Sequence, residues 1–177
     1  MHERLSRSKI FIDLRPMKKV KVLFVCLGNI CRSPLGAAIL KKKIAVAGLE
    51  EWVEVDSCGT SNYHIGDNAD PRTIANASAN GVGIEHCARQ LTEDDIDRFD
   101  FIFAMDKSNY QNILRLKKGE VSPGKIRMIR EFDPHSGGGE VPDPYHGGPN
   151  EFQEVFDILD RSTAKFVEYL ERSVLQR

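Results

Sequence analysis

Cys26, Arg32 and Asp143 are the residues whose types and settings could carry covalent chemistry. Cys26-Leu27-Gly28-Asn29-Ile30-Cys31-Arg32-Ser33 has the form C-x5-R-S, lying between an apolar run and a stretch of helical character. A loop wrapped so that its N–H groups converge is an anion nest, and a helix behind it adds unpaired donors and the positive end of its dipole. Gly28 allows the main chain to approach closely, and the planar fork of Arg32 can hold two phosphate oxygens. Such a field favours the thiolate form of Cys26. A thiolate there can attack phosphorus and form a cysteinyl-phosphate intermediate. The leaving oxygen then needs a proton, and Asp143, between Pro142 and Pro144, is the candidate acid. A lone cysteine at a strand end is more often inert packing; the C-x5-R-S context argues for the reactive reading.

The elements around these residues alternate between strand and helix. Lys19 to Val25 turns continuously apolar at its end, as a buried parallel strand does. Pro34 to Ala47 reads as a helix, with Ser33 as N-cap, Pro34 in the first turn, Lys41, Lys42 and Lys43 on its wet face, and Gly48 as its stop. Trp52 to Ser57 alternates as a strand, Gly59 to Asp70 is a polar loop, and Pro71 to Asn80 is a helix ended by Gly81. Thr92 and Asp95 resemble a capping box that starts a short acidic helix. Phe101 to Met105 is a strand, Asp106 to Leu116 a helix, and Lys125 to Ile129 a weaker fourth strand. Residues 132–150 form a long loop rich in glycine and proline, and Glu151 to Leu175 is an amphipathic helix. The expected fold is a doubly wound α/β domain: a mostly parallel four-stranded sheet flanked by helices, with the phosphate-binding loop after the first strand. Right-handed crossovers bring the ends of the first and third strands to one crevice.

The 177 residues are the length of one domain, with residues 1–17 expected to be an extension and 18–177 a single domain. A formal net charge of -1 without large single-sign blocks gives no nucleic-acid or membrane-surface footprint. No apolar run is long enough to span a bilayer, and the first residues lack the apolar stretch of a secretory signal. Cys26, Cys31, Cys58 and Cys87 show neither a C-x-x-C nor another metal-ligand spacing. No metal and no cofactor is expected, and the chain is expected in the cytoplasm.

The segment Val22 to Pro34, VLFVCLGNICRSP, resembles the phosphate loop of the low-molecular-weight protein-tyrosine phosphatases. So, in the family's order, do Asp56-Ser57 with Gly59-Thr60, His86 with Ala88-Arg89-Gln90, Ala104-Met105-Asp106, and Asp143-Pro144-Tyr145. The resemblance spans about Lys18 to Tyr169. It implies a metal-independent phosphatase with Cys26 as nucleophile, Arg32 as transition-state clamp, and Asp143 as general acid and later base. Leu27, Gly28, Asn29, Ile30 and Cys31 would form the substrate-binding loop. Asn29, Ser33, Ser57 and His86 match the hydrogen-bond network beneath it, which holds Asn29 strained and sets the Ser33 hydroxyl against the thiolate. Tyr63 and Tyr145 match the aromatic walls of a deep slot for phosphotyrosine. Cys31 matches a second loop cysteine able to trap oxidised Cys26 as a disulfide. The implied partner is a phosphotyrosine-containing protein, such as a bacterial tyrosine kinase, and the implied state a monomer or weak dimer. Departures from the pattern are His146 where many members carry tyrosine, Cys58 and Cys87 at positions usually alanine and basic, and Ile30 where members acting on phosphoarginine carry threonine.

Two other readings compete. An arsenate reductase would use the same loop but needs two further cysteines in a mobile segment, and only Cys87 lies in the right region. A non-catalytic phosphate-binding module would keep the nest and lose the acid or the thiol; this chain has both.

Overall fold

The computed structural model describes residues 18–135 and 138–175. The N-terminal extension expected from sequence, residues 1–17, lies outside them. β1 (Val20–Cys26) is buried on both faces: Val22, Phe24 and Cys26 face one core, Leu23 and Val25 the other. That is why its second half is apolar without alternation. β2 (Val53–Gly59) and β3 (Phe101–Ala104) pair with β1 on either side, and β4 (Ile126–Met128) pairs with β3. All three pairings are parallel, giving the order β2-β1-β3-β4. The chain therefore winds one way from β1 to β2 and the other way to β3 and β4. The switch lies between β1 and β3, where ligands of such sheets bind.

α1 (Arg32–Val46) and α5 (Pro149–Tyr169) cover one face, joined by α2 (Pro71–Ala79). α3 (Glu93–Arg98) and α4 (Lys107–Leu116) cover the other, burying Ile96 and Ile113 against Leu23 and Ile102. Around Phe103 the larger core is aromatic: its ring meets Phe166 edge-on at 4.7 Å and Phe132 at 5.8 Å. The Thr92–Asp95 capping box is present with both of its hydrogen bonds.

Some boundaries differ from the sequence reading. α1 begins at Arg32, so Ser33 sits inside its first turn and is not the N-cap. Lys43 is half-buried and pairs with Asp160 of α5 at 2.7 Å; Lys41 and Lys42 keep the wet face. β4 is three residues long and passes at once into a 3-10 turn, Ile129–Phe132. α5 starts two residues earlier than Glu151, with Pro149 in its first turn and Glu151 accepting from Gly148 N–H at 2.8 Å. Its end widens into a π turn over Leu170–Val174.

Candidate active site

The loop after β1 is shaped by what holds its carbonyl groups. Cys26 O accepts from Thr60 N–H at 2.9 Å, and Leu27 O from Ser61 N–H and hydroxyl, both at 2.9 Å. Ile30 O accepts from Asp70 N–H at 2.8 Å, and Asn29 O from His86 Nε2 at 2.6 Å. Because the acceptor is a carbonyl, His86 carries its proton on Nε2. With these oxygens turned outward, the amides of Leu27, Gly28, Ile30 and Cys31 take no partner among the described residues. Asn29 N–H donates to Cys26 Sγ at 3.3 Å. The result is a concave set of donors at the N-terminus of α1, a ready anion site.

Beneath the loop, Asn29 is fully buried at φ 57°, the left-handed region. Its side-chain amide donates to Ser33 Oγ at 2.9 Å and Ser57 Oγ at 3.0 Å, and its oxygen accepts from Arg89 N–H at 2.9 Å. Ser33 Oγ lies 3.0 Å from Cys26 Sγ. With one lone pair taken by Asn29, that hydroxyl can turn its proton to the sulfur. Sequence placed Asn29 both in the substrate-binding loop and in the network beneath it; its side chain supports the loop from below, and its main chain belongs to the nest. His86, half-buried, is harder to protonate than an ordinary histidine, because burial outweighs the help of the Asn29 carbonyl.

A cavity of about 270 Å³ opens above the sulfur, lined among others by Cys26, Leu27, Gly28, Ile30, Cys31 and Arg32. Arg32 is 3% exposed, so its plane is set by its partners. Nη1 donates to Asp106 Oδ2 at 2.7 Å and Val141 O at 3.1 Å, and Nη2 to Asp143 Oδ2 at 3.1 Å. Burial works against its charge, but Cys26, Asp143 and Asp106 hold it protonated more firmly than usual. Asp143 accepts from Tyr145 N–H at 3.2 Å, a local turn that aims the carboxyl at the cavity mouth. Tyr145 is tied from α2: Arg72 donates to its carbonyl at 3.0 Å, lies over its ring, and is itself fixed by the N-cap carboxylate of Asp70.

Tyr145 and Tyr63 both border the cavity, but Tyr63 is 74% exposed and stands at the rim. The wall on its side is completed by His64, whose ring crosses Gly28 so closely that a Cβ there would sit 3.1 Å from it. His64 pairs with Asp67 at 3.0 Å, and His146 meets Tyr145 edge-on at 5.1 Å. The sequence reading gave no role to His64, Arg72, Arg89 or Asp106. Arg89 spans Asp56 at 2.8 Å and Asp95 at 2.9 Å, clamping the segment that supports Asn29 to β2 and α3. Cys31 shares the cavity, and burial pushes its thiol up to about 12. Cys58 is buried and held neutral chiefly by burial, while Cys87 is exposed and borders a separate hollow with His86. Ser57 and His86 do not line the cavity.

Fold and site together define a class: small doubly wound α/β proteins that present a thiol and a buried guanidinium to an oxyanion at a strand–helix junction. Comparisons narrow it. Residues 21–176 match the family model described as low molecular weight phosphotyrosine protein phosphatase. A protein named low molecular weight protein-tyrosine-phosphatase from Streptomyces coelicolor is 40% identical over 145 residues, covering 81% of this chain and 88% of that one. A protein tyrosine phosphatase of Entamoeba histolytica, crystallised with Hepes in its active site, superposes with a TM-score of 0.83 at 39% identity, covering 87% of this chain and 98% of that one. The Drosophila arginine phosphatase superposes at 0.78 with 29% identity, covering 86% and 98%. The chain belongs to the low-molecular-weight phosphotyrosine protein phosphatase family, whose members are phosphoric monoester hydrolases. Among the described residues, no helix is long and apolar enough to cross a membrane.

Proposed function

We propose that this chain hydrolyses phosphotyrosine on a protein substrate through a cysteinyl-phosphate intermediate. One observation carries the reading: the Cys26 sulfur sits at the focus of the loop, 3.0 Å from Ser33 Oγ and 3.3 Å from Asn29 N, with Arg32 and Asp143 on the same cavity. The phosphoryl oxygens bind the inward amides and the Arg32 fork, which bears the charge that grows in transfer. The Cys26 thiolate attacks phosphorus, and the bond to the tyrosyl oxygen breaks. Asp143, protonated, gives its proton to that oxygen. As a carboxylate it then takes a proton from water attacking the S–P bond. The sulfur leaves as thiolate, stabilised by Ser33 and the Asn29 amide, and phosphate departs.

The slot between Tyr145 and the Tyr63–His64 side favours an aryl phosphate over the shorter phosphoserine. Ile30, on the cavity wall, supports phosphotyrosine over phosphoarginine. Rates with phosphotyrosine, phosphoserine and phosphoarginine peptides test this choice. Phosphotyrosine is expected to be fastest, and EDTA to leave the rate unchanged. Cys26→Ser abolishes turnover and keeps phosphate binding. Faster phosphoarginine hydrolysis, or turnover by Cys26→Ser, refutes the reading.

A further inference from the structure

Leu27 and Tyr63 have two sides. One faces the catalytic cavity; the other borders a second groove of about 570 Å³, so the two hollows are continuous across these side chains. The groove runs between the loop after β2 and the C-terminal end of α4. Its polar lining is dominated by uncharged groups, including the side-chain amides of Asn62, Gln90 and Asn112. Such amides both donate and accept, which is what a main chain requires of its partner. Gln90 Nε2 makes only a long bond, 3.4 Å to Thr60 O, so its amide is available. The main chain of Gln90 is also free: β2 takes Arg89 O and Leu91 N–H, and the N–H and C=O of Gln90 have no partner among the described residues. Unpaired strand edges are where extended peptides add.

One charged side chain lines this groove, Arg115. It is exposed, donates to Asn112 Oδ1 at 2.9 Å, and has no carboxylate partner among the described residues. Lys117, two residues on, is neutralised by Asp97 at 2.9 Å. Arg115 thus leaves a positive charge on a polar groove that is continuous with the catalytic cavity.

We infer that this groove receives the polypeptide on one side of the phosphotyrosine, in extended form, and that Arg115 selects an acidic side chain in it. The inference rests on the phosphotyrosine reading above and deepens it by naming a substrate context. The test compares the unaltered chain with Arg115→Ala and Arg115→Glu. The substrates are p-nitrophenyl phosphate, which has no flanking chain, and phosphotyrosine peptides carrying Glu or Lys at one flanking position at a time. The unaltered chain is expected to prefer Glu over Lys at one or more positions on one side by about two- to fivefold in kcat/KM, the scale of a solvent-exposed charge pair. Arg115→Ala should level that preference and Arg115→Glu should invert it, with p-nitrophenyl phosphate hydrolysis unchanged in both. Identical peptide rankings in all three proteins, with p-nitrophenyl phosphate still turned over, overturn the inference alone. Failure of the unaltered chain to hydrolyse p-nitrophenyl phosphate overturns the phosphatase reading and the inference with it.

Discussion

Asn29 is held at positive φ by three side-chain hydrogen bonds in a fully buried position. Alanine fits that backbone less well and leaves the Arg89 amide and two serine hydroxyls short of a partner. Asn29→Ala should therefore cost about 2–3 kcal/mol of stability in urea unfolding. It should also depress kcat on p-nitrophenyl phosphate, because the Asn29 amide no longer meets the sulfur squarely. Asp143 makes a different prediction, since its role is tied to one step. Asp143→Ala should slow turnover by about a hundredfold or more for poor leaving groups and much less for good ones. Equal losses across a series of aryl phosphates remove it as the acid. Residue types and order singled out Cys26, Arg32 and Asp143, and the structure brings the three to one cavity. They did not reveal that Asp106 and the Val141 carbonyl fix the Arg32 plane, or that Arg72 steadies Tyr145. Those partners come from distant turns of the chain, and their residue types are common at any helix start.

The elements meet most tightly where β2 ends under the catalytic loop. A Cβ on Gly59 would stand 2.7 Å from Leu27 O and 3.1 Å from Asn29 N, both main-chain atoms that cannot swing aside. Gly59→Ala should destabilise the fold by about 1–3 kcal/mol. It should lower activity more than a core substitution of equal cost, which paired unfolding and rate measurements would show. β1, β2, α2 and α3 were legible because periodicity, capping and turn residues agreed there. The start of α1 was misread for a physical reason. Cys31 at its N-cap gives no side-chain bond to the helix amides, and Ser33, the residue that looks like the cap, is turned to the sulfur. A helix that keeps its first amides for an anion cannot also advertise a conventional cap. β4 was read from sequence with one residue too many at each end, and the early start of α5 was missed because the glycine and proline before Glu151 carry both turn and helix-start signals.

Among the described residues two cores share one sheet, and partly or fully buried titratable groups set the response to acid. His86 binds a proton less readily in the folded chain than in the unfolded one. The unfolded chain then takes up more protons as pH falls, so stability present above about pH 6.5 declines below it. Asp133, fully buried, is pushed up by burial, but Arg161, the His135 N–H and Arg130 outweigh this and hold it below the usual carboxylate range. Its contribution is complete above about pH 4 and is lost as pH falls further. Urea midpoints should therefore fall in two stages, and His86→Gln should remove the first; persistence of that stage in the variant would assign it elsewhere.

The outward carbonyls of the catalytic loop are claimed by the turn after β2, by Asp70 at the start of α2, and by His86. Transplanting Cys26 to Ser33 onto a foreign strand and helix would carry over the sulfur and leave behind its surroundings. For the same reason, mild denaturant should silence the enzyme while its circular dichroism still reads as intact, since loosening any one of those distant anchors lets the amides turn away.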